Sequence, residues 1–106
     1  MAAKVVPLRP VHPKPAPTLD ELVARVHELA KNRDNLSWSL HFKQRLAQRG
    51  VTIRQVLETL DYGDGVSARL DSDGDWRVKL RRKVAGRRVQ VVVAVRGNRL
   101  SGITVI

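Results

Sequence analysis

The stretch that decides the fold is WRVKLRRKVAGRRVQVVVAVR, residues 76–96 of the 106-residue chain. Apolar residues stand at every second position from Trp76 to Leu80, with cationic residues between them, which is the period of a strand with one buried face. Ala85-Gly86 supplies a tight turn. The following segment, Arg88 to Val95, is apolar on both faces at its centre, which is typical of a middle strand. The stretch therefore predicts a β-hairpin at the centre of a sheet.

Strand signals continue on both sides of this hairpin. Residues 66–71 alternate between apolar and polar side chains, and an Asp-rich turn at residues 71–75 separates them from the hairpin. On the other side, Gly97-Asn98 leads into a last strand, Leu100 to Ile106. In the strand before the hairpin, Val66, Ala68 and Leu70 are predicted to share one side of the sheet. The C-terminal half is therefore predicted to be an antiparallel meander.

The N-terminal half carries helix signals. Helices are predicted from Thr18 to Arg33, from Leu40 to Arg49 and from Thr52 to about Tyr62. Gly50 is a natural stop for the second helix, and Leu36 to Trp38 has the composition of a short edge strand. Helices followed by a meander predict an α+β fold, with N-terminal helices packed on one side of a mostly antiparallel sheet of about four strands.

The length and the proline pattern predict one domain with an N-terminal extension. All five prolines lie in residues 1–17, together with three cationic residues. Since proline cannot donate to a helix or a ladder, we expect a flexible basic arm here, and an arm that binds a partner is the alternative. Residues 18–106 are predicted to form the single α+β domain.

The composition excludes several classes of protein. The chain has no cysteine, so structural disulfides and cysteine-ligated zinc are excluded, and we expect no metal or other cofactor. No apolar stretch approaches the ~20 residues that a membrane helix requires, and the Pro-rich N-terminus lacks the apolar core of a secretory signal. We therefore expect a cytoplasmic protein with no membrane partner.

The charge is concentrated in the C-terminal third. Lys and Arg number 20 against 10 acidic residues, which gives a formal charge of +10. All acidic residues lie between Asp20 and Asp75, and none follows. Such an excess of positive charge in a short chain indicates a polyanionic partner, and we expect RNA.

One cationic row lies on the predicted hairpin. Alternating residues of a strand stand ~6–7 Å apart on one face, which is close to the phosphate repeat of an extended single strand. A row of like charges is usually a solvated face, but this row has no acidic residue between its members, and we therefore favour phosphate binding. The predicted RNA-binding residues are Arg77, Lys79, Arg81, Lys83 and Arg88.

The second predicted helix carries a group of polar residues on one face. His41, Arg45 and Gln48 share this face because they are three or four residues apart, and Arg49 lies at its edge. A histidine can transfer a proton near neutral pH, and an arginine one turn away can bind a phosphate. This pairing suits RNA cleavage through the 2′-hydroxyl without a metal. A solvated polar helix face is the alternative.

The pattern Ser39-x-His41-x-x-x-Arg45-x-x-x-Arg49-Gly50-Val51-Thr52, with a basic hairpin and a final Ile-Thr-Val strand, resembles a small bacterial domain family of uncharacterised function. That family is grouped with the RelE- and barnase-like ribonuclease toxins. The resemblance implies a RelE/barnase-like sheet with N-terminal helices, and metal-independent RNA cleavage, often by the toxin of a toxin–antitoxin pair. The catalytic candidates that it implies are His41, Arg45, Arg49 and Thr104.

Three functions remain open at this point. The first is a metal-independent endoribonuclease that cuts single-stranded RNA, either free or in association with the ribosome. The second is a non-catalytic module that binds nucleic acid or the ribosome. The third is a protein whose basic face binds an acidic antitoxin or regulator.

Overall fold

A computed structural model describes residues 16–106. The predicted arm, residues 1–17, lies outside the described residues except for Ala16 and Pro17, which are exposed. The helices are α1 (Leu19–Ala30), α2 (Leu40–Arg49) and α3 (Ile53–Tyr62), and a 3₁₀ turn occupies Arg33–Asn35. The strands are β1 (Leu36–Trp38), β2 (Asp64–Leu70), β3 (Trp76–Val84), β4 (Arg87–Arg96) and β5 (Arg99–Val105).

Side chains at the helix starts explain why the helices begin where they do. Thr18 accepts a hydrogen bond from the backbone N–H of Glu21, whose side chain accepts one from Thr18 in return. Thr52 and Gln55 repeat this arrangement at α3. Helix α1 is shorter than predicted, because the chain leaves it after Ala30 and passes through the 3₁₀ turn before β1.

The end of α2 agrees with its prediction. Gly50 has φ of 66°, a left-handed conformation that a residue with a Cβ rarely adopts. This turn lets the chain reverse at once into α3, so that only Val51 and Thr52 separate Gly50 from the next helix.

The predicted α+β fold, with helices on one side of a mostly antiparallel sheet, is confirmed, since three of the four strand pairings are antiparallel. The sheet has five strands, where about four were predicted. The strand order is β1-β5-β4-β3-β2. Strands β2 to β5 form the predicted meander, with β4 in the middle as expected. Strand β1 pairs in parallel with β5 at the edge of the sheet, over only three residues of each strand. The prediction undercounted because a three-residue segment gives too short a pattern to indicate pairing.

The helices cover one side of the sheet and form the core with it. Phe42 of α2 is fully buried and stacks on Trp38, with the ring centroids 5.2 Å apart. Both rings lie over Gly102 of β5, where a Cβ would come within 2.9 Å of their carbons. Glycine at this position therefore lets α2 pack closely on the sheet. The strand residues that build this core are Val78, Leu80, Val89, Val91, Val93, Leu100 and Val105.

One apolar residue of β2 faces solvent. Leu70, at the end of the strand, is 56% exposed, although it shares a side of the strand with the half-buried Val66 and Ala68. Strand β2 is the outer strand, and a register shift between Gly65 and Ser67 interrupts its pairing with β3. The helices therefore cover the start of β2, where Gly65 lies against α1, and leave its end exposed.

No helix among residues 16–106 is long and apolar enough to cross a bilayer.

Candidate functional site

The side of the sheet away from the helix core is the open face. Register defines it, because residues that alternate with the core residues point to this side. Lys79 of β3 pairs with Val92 of β4, and Val92 pairs in turn with Thr104 of β5. The open face comprises Asp64, Ser67, Arg69, Arg77, Lys79, Arg81, Lys83, Arg88, Gln90, Val92, Ala94, Ser101 and Thr104. Its acidic member, Asp64, lies beside Arg81 at the start of β2.

The open face contains a concave cavity of about 410 Å³ between β2 and the end of β5. No acidic residue lines it. Its lining residues are Ser67, Ala68, Arg69, Arg77, Lys79, Val92, Ile103, Thr104 and Ile106. The cavity therefore combines aliphatic surface, two hydroxyl groups and three cationic side chains.

Helix α2 reaches the rim of this cavity through Arg45. Strand β1 ends at Trp38, opposite Gly102, so the last residues of β5 have no strand beside them on that edge. Arg45 extends past this part of the sheet, and its Nε donates a hydrogen bond to Oγ1 of Thr104 over 3.3 Å. Since Thr104 also lines the cavity, the polar face of α2 and the open face meet at this residue.

Arg45 is also held by its own helix. Its Nη1 lies 3.4 Å from Oε1 of Gln48, one turn along α2, as the shared face predicted. Two weak contacts to neutral oxygens leave the guanidinium with further donors and no charge partner among residues 16–106. An arginine in this state can bind an anion without first breaking an ion pair.

His41 lies on α2 one turn before Arg45 and is exposed. Within the part of the chain that the structure describes, its ring makes no hydrogen bond to another side chain or to the backbone. Helix spacing places it on the same side as Arg45. Both ring nitrogens therefore face solvent and are accessible to a bound molecule.

Arg49 lies one turn after Arg45 and is exposed at the end of α2. Its backbone carbonyl accepts a hydrogen bond from Arg87, and the carbonyl of Gly50 accepts another from Arg87 over 2.6 Å. Arg87 thus satisfies the last carbonyls of α2 and ties the tip of the β3–β4 hairpin to this helix. Nothing in the sequence indicates that Arg87 lies next to the end of α2.

The turn between β2 and β3 neutralises two arginines. Arg77 donates from Nε to Oδ2 of Asp71 over 3.0 Å, and Arg96 contacts Asp75 at 2.7 Å. The backbone N–H of Asp75, followed by the Arg77 guanidinium, lowers the pKa of the Asp71 carboxyl below its ordinary value. The hydrogen bond with Asp75 raises the pKa of Arg96. The predicted row without acidic partners is therefore wrong at Arg77.

The rest of the predicted row has no such neutralisation. Lys79 is half-buried beside the cavity, and the other three residues are exposed. No acidic side chain among residues 16–106 lies within ion-pair distance of any of the four. These unpaired cations are Lys79, Arg81, Lys83 and Arg88.

Aromatic rings and metal ligands are not part of this site. Phe42 is buried and Trp38 and Trp76 pack against the core, as predicted. None of the residues that line the cavity is aromatic. Within residues 16–106, no three His, Asp or Glu side chains are grouped closely enough to hold a metal ion.

Comparison with known proteins identifies a family. A family model described as "Domain of unknown function (DUF4258)" matches residues 38–106, from the end of β1 to the C-terminal residue. The match includes α2, α3 and the whole meander, and it leaves out α1. No curated protein matches the chain. Because the family model covers more than half of the sequence, the chain belongs to the DUF4258 family.

Proposed function

We propose that this protein binds single-stranded RNA on its open face and cleaves it without a metal ion, as a toxin-like endoribonuclease. The observation that carries the proposal is the hydrogen bond from Arg45 to Thr104. It brings Arg45, the middle one of the three candidates on α2, to the rim of a cationic cavity on the sheet. A bound strand can therefore contact both groups of residues at once.

The unpaired cations support the binding step. Lys79, Arg81 and Lys83 follow one another on the same side of β3, and Arg88 pairs with Lys83 across the hairpin. None of these four side chains forms an ion pair within the described domain. RNA phosphates can therefore bind them without displacing an internal partner, and this binding releases counterions from the RNA. We expect the logarithm of the affinity to fall linearly with the logarithm of the salt concentration.

The residues around Arg45 support the cleavage step. In the proposed reaction, neutral His41 removes the proton of the 2′-hydroxyl, whose oxygen forms a bond to phosphorus while the bond to the 5′-oxygen breaks. The leaving oxygen takes up a proton from the imidazolium or from water. Arg45 and Arg49 stabilise the charge that develops on the phosphate oxygens, and Thr104 positions Arg45. The products are a 2′,3′-cyclic phosphate and a 5′-hydroxyl.

The resemblance to RelE- and barnase-like toxins extends the proposal to partners. The unpaired cations of the open face are complementary to an acidic antitoxin or regulator, which would compete with RNA for the same surface. Ribosomal RNA offers the same phosphate chemistry, so the proposed RNA target includes ribosome-associated strands.

A non-catalytic RNA-binding module is the second candidate, and one observation favours it. The residues that line the cavity include no histidine, tyrosine, aspartate or glutamate. His41 is then the one imidazole that α2 supplies, although cleavage requires proton transfer at two oxygens. In a binding module, Arg45 and Thr104 would hold a phosphate, and His41 would be a surface residue.

The test is cleavage of a mixed, end-labelled RNA in EDTA. The wild type is compared with the double variant His41→Ala, Arg45→Ala, and with a control that replaces Lys43 and Gln44 by alanine on the same helix. The proposal predicts cyclic phosphate ends with the wild type and the control, and intact RNA with the double variant. Intact RNA with all three proteins, under conditions where they bind it, would contradict cleavage and favour the binding module.

A further inference from the structure

The cavity on the open face has an apolar part that phosphate binding alone does not require. Val92 forms part of its floor, and Ile103 and Ile106 line the side near β5. Ile106 is 52% exposed, although its backbone N–H is fixed by the carbonyl of Gln90. Cationic side chains surround this aliphatic surface on the side of β2 and β3.

The burial of Ala94 indicates that this part of the open face is concave. Ala94 points to the open side and is only 6% exposed, although the helices lie on the other side. Its neighbours across the ladders are Arg77 and Ser101. The cavity volume lies within the range of roughly 300–1,000 Å³ that is typical of sites for small ligands.

We infer that this cavity receives one nucleotide of the bound RNA strand, with its base against Val92 and Ile103 and its phosphate at Lys79 and Arg69. The inference rests on the proposed RNA binding and specifies how the strand lies on the face. A nucleotide combines an apolar ring with an anion, as the cavity combines aliphatic surface with unpaired cations. Arg77, held by Asp71, forms a fixed part of the wall.

The lining also indicates how the base is recognised. Since no aromatic ring lines the cavity, the base packs on aliphatic side chains and does not stack on a ring. The hydroxyls of Ser67 and Thr104 lie on the β2 and β5 sides, and a hydroxyl both donates and accepts hydrogen bonds. The site therefore accepts more than one base, and we expect weak sequence preference at this position.

Thr104 connects this nucleotide to the cleavage site. Its side chain lines the cavity and accepts the hydrogen bond from Arg45. The phosphodiester next to the bound nucleotide therefore lies beside Arg45. In this arrangement the cavity fixes the register of the strand, so that one phosphate at a time meets the polar face of α2.

The test fills the cavity without changing the charge. Ser67→Phe adds a ring at the cavity wall, and Ser72→Phe adds the same ring in the exposed β2–β3 turn, outside the cavity. Ile106→Asn is a second variant, which removes aliphatic surface from the lining. Thermal unfolding followed by circular dichroism confirms that each variant is folded. The ligands are a labelled 12-nucleotide single-stranded RNA and inorganic polyphosphate, which carries the charge without bases.

We expect Ser67→Phe and Ile106→Asn to weaken RNA binding by about tenfold, while polyphosphate binding stays within about twofold. Ser72→Phe should leave both affinities unchanged. Equal RNA affinities for all the folded variants would overturn the nucleotide site and leave RNA binding on the open face intact. If the wild type itself does not bind RNA, both the proposed function and the nucleotide site are wrong.

A competition experiment distinguishes a site for an RNA strand from a site for a free nucleotide. The inference predicts that adenosine monophosphate competes with the RNA only at concentrations far above those of the 12-nucleotide strand, because it lacks the contacts along β3. The assignment to a strand would be overturned if the wild type bound adenosine monophosphate as tightly as the RNA and Ser67→Phe abolished this binding.

Discussion

Arg81 and Arg82 are neighbours on β3, and the sheet gives them opposite surroundings. Arg82 points to the helix side, where its Nε donates to Glu58 over 3.0 Å and its guanidinium lies 5.2 Å from the centre of the Tyr62 ring. Arg81 points to the open side, is exposed, and forms no ion pair among the described residues, although Asp64 is its cross-strand neighbour on β2. The same residue type is therefore structural on one face and available to a ligand on the other.

This difference extends to the distribution of the acidic residues. Glu58 and Asp61 bind Arg82 and Arg33 on the helix side, and the hydrogen bond to Asp61 raises the pKa of Arg33. Asp71 and Asp75 neutralise arginines at the turn between β2 and β3. On the open face, Asp64 is the cross-strand neighbour of Arg81 but forms no ion pair with it, so the cations of this face stay unpaired within the described residues. The face of the sheet on which a cationic side chain lies therefore determines whether it forms an ion pair within the protein or stays available to a ligand.

The largest expected difference between the two faces is in their contribution to the free energy of unfolding. Val91 and Val92 are neighbours on β4 that point to opposite faces, so their alanine variants compare the faces on one strand. Val91 is fully buried under the helices, and Val92 is half-buried in the open cavity. We expect Val91→Ala to lower the free energy of unfolding by about 2–3 kcal/mol, and Val92→Ala by less than about 1 kcal/mol. Urea unfolding measures both, and equal losses would contradict the assignment of the faces.

A smaller effect separates the two neighbouring arginines. Arg82→Ala should lower the free energy of unfolding by about 1 kcal/mol, since it removes a half-exposed ion pair and a cation–π contact, and leave RNA affinity within about twofold. Arg81→Ala should leave stability within about 0.5 kcal/mol and weaken RNA binding about fivefold. Urea unfolding and fluorescence anisotropy give the two readings. Loss of RNA affinity in Arg82→Ala alone would reverse the comparison.

The smallest expected effect depends on pH and concerns Asp71. Because its pKa is lowered in the folded state, the ionised carboxylate stabilises the fold above the unfolded value of about 4, and this stabilisation is lost as the pH falls through the folded value. The melting temperature of Asp71→Asn should therefore lie below that of the wild type at pH 7, and the gap should close below about pH 4. Asp73→Asn is the control, since its carboxylate has no contact with Arg77.

The same variant sharpens the comparison at neutral pH. The side-chain amide introduced by Asp71→Asn can still accept the backbone hydrogen bonds of the turn but cannot neutralise Arg77, so the open face gains a cation. We expect Asp71→Asn to bind RNA more tightly than Asp73→Asn, by up to about fivefold in low salt. Equal affinities would indicate that Arg77 does not contact the strand.

Much of the fold could be predicted from local signals. The limits of α2, the start of α3 and the central place of β4 follow from Ser39, Gly50, Thr52 and the apolar run of residues 91–95. The partner of β1 could not be predicted, because parallel pairing joins Leu36–Trp38 to residues more than sixty positions away. The exposure of Leu70 depends on where the helices end over the sheet, which alternation along one strand does not encode.

The residues of the candidate site were predicted on separate elements, but the contact that brings the two elements together was not predicted. The alternation of β3 placed Lys79 and Arg81 on one face, and helix spacing placed Arg45 near Gln48. Nothing local indicates that Arg45 reaches Thr104, because this contact depends on β1 ending early at the sheet edge. The pairing of Arg77 with Asp71 arises from the shape of the turn, which folds the carboxylate back onto β3.

The measurement that tests the central claim most directly is a methyl NMR titration with a short single-stranded RNA. Val91 and Val93 point into the helix core, and Val92 between them points into the open cavity. We expect the methyl signals of Val92 and Ile103 to shift on addition of RNA, while those of Val91 and Val93 stay in place. Shifts confined to the helix side, at Ile53 and Leu57 of α3, with Val92 unmoved, would contradict it.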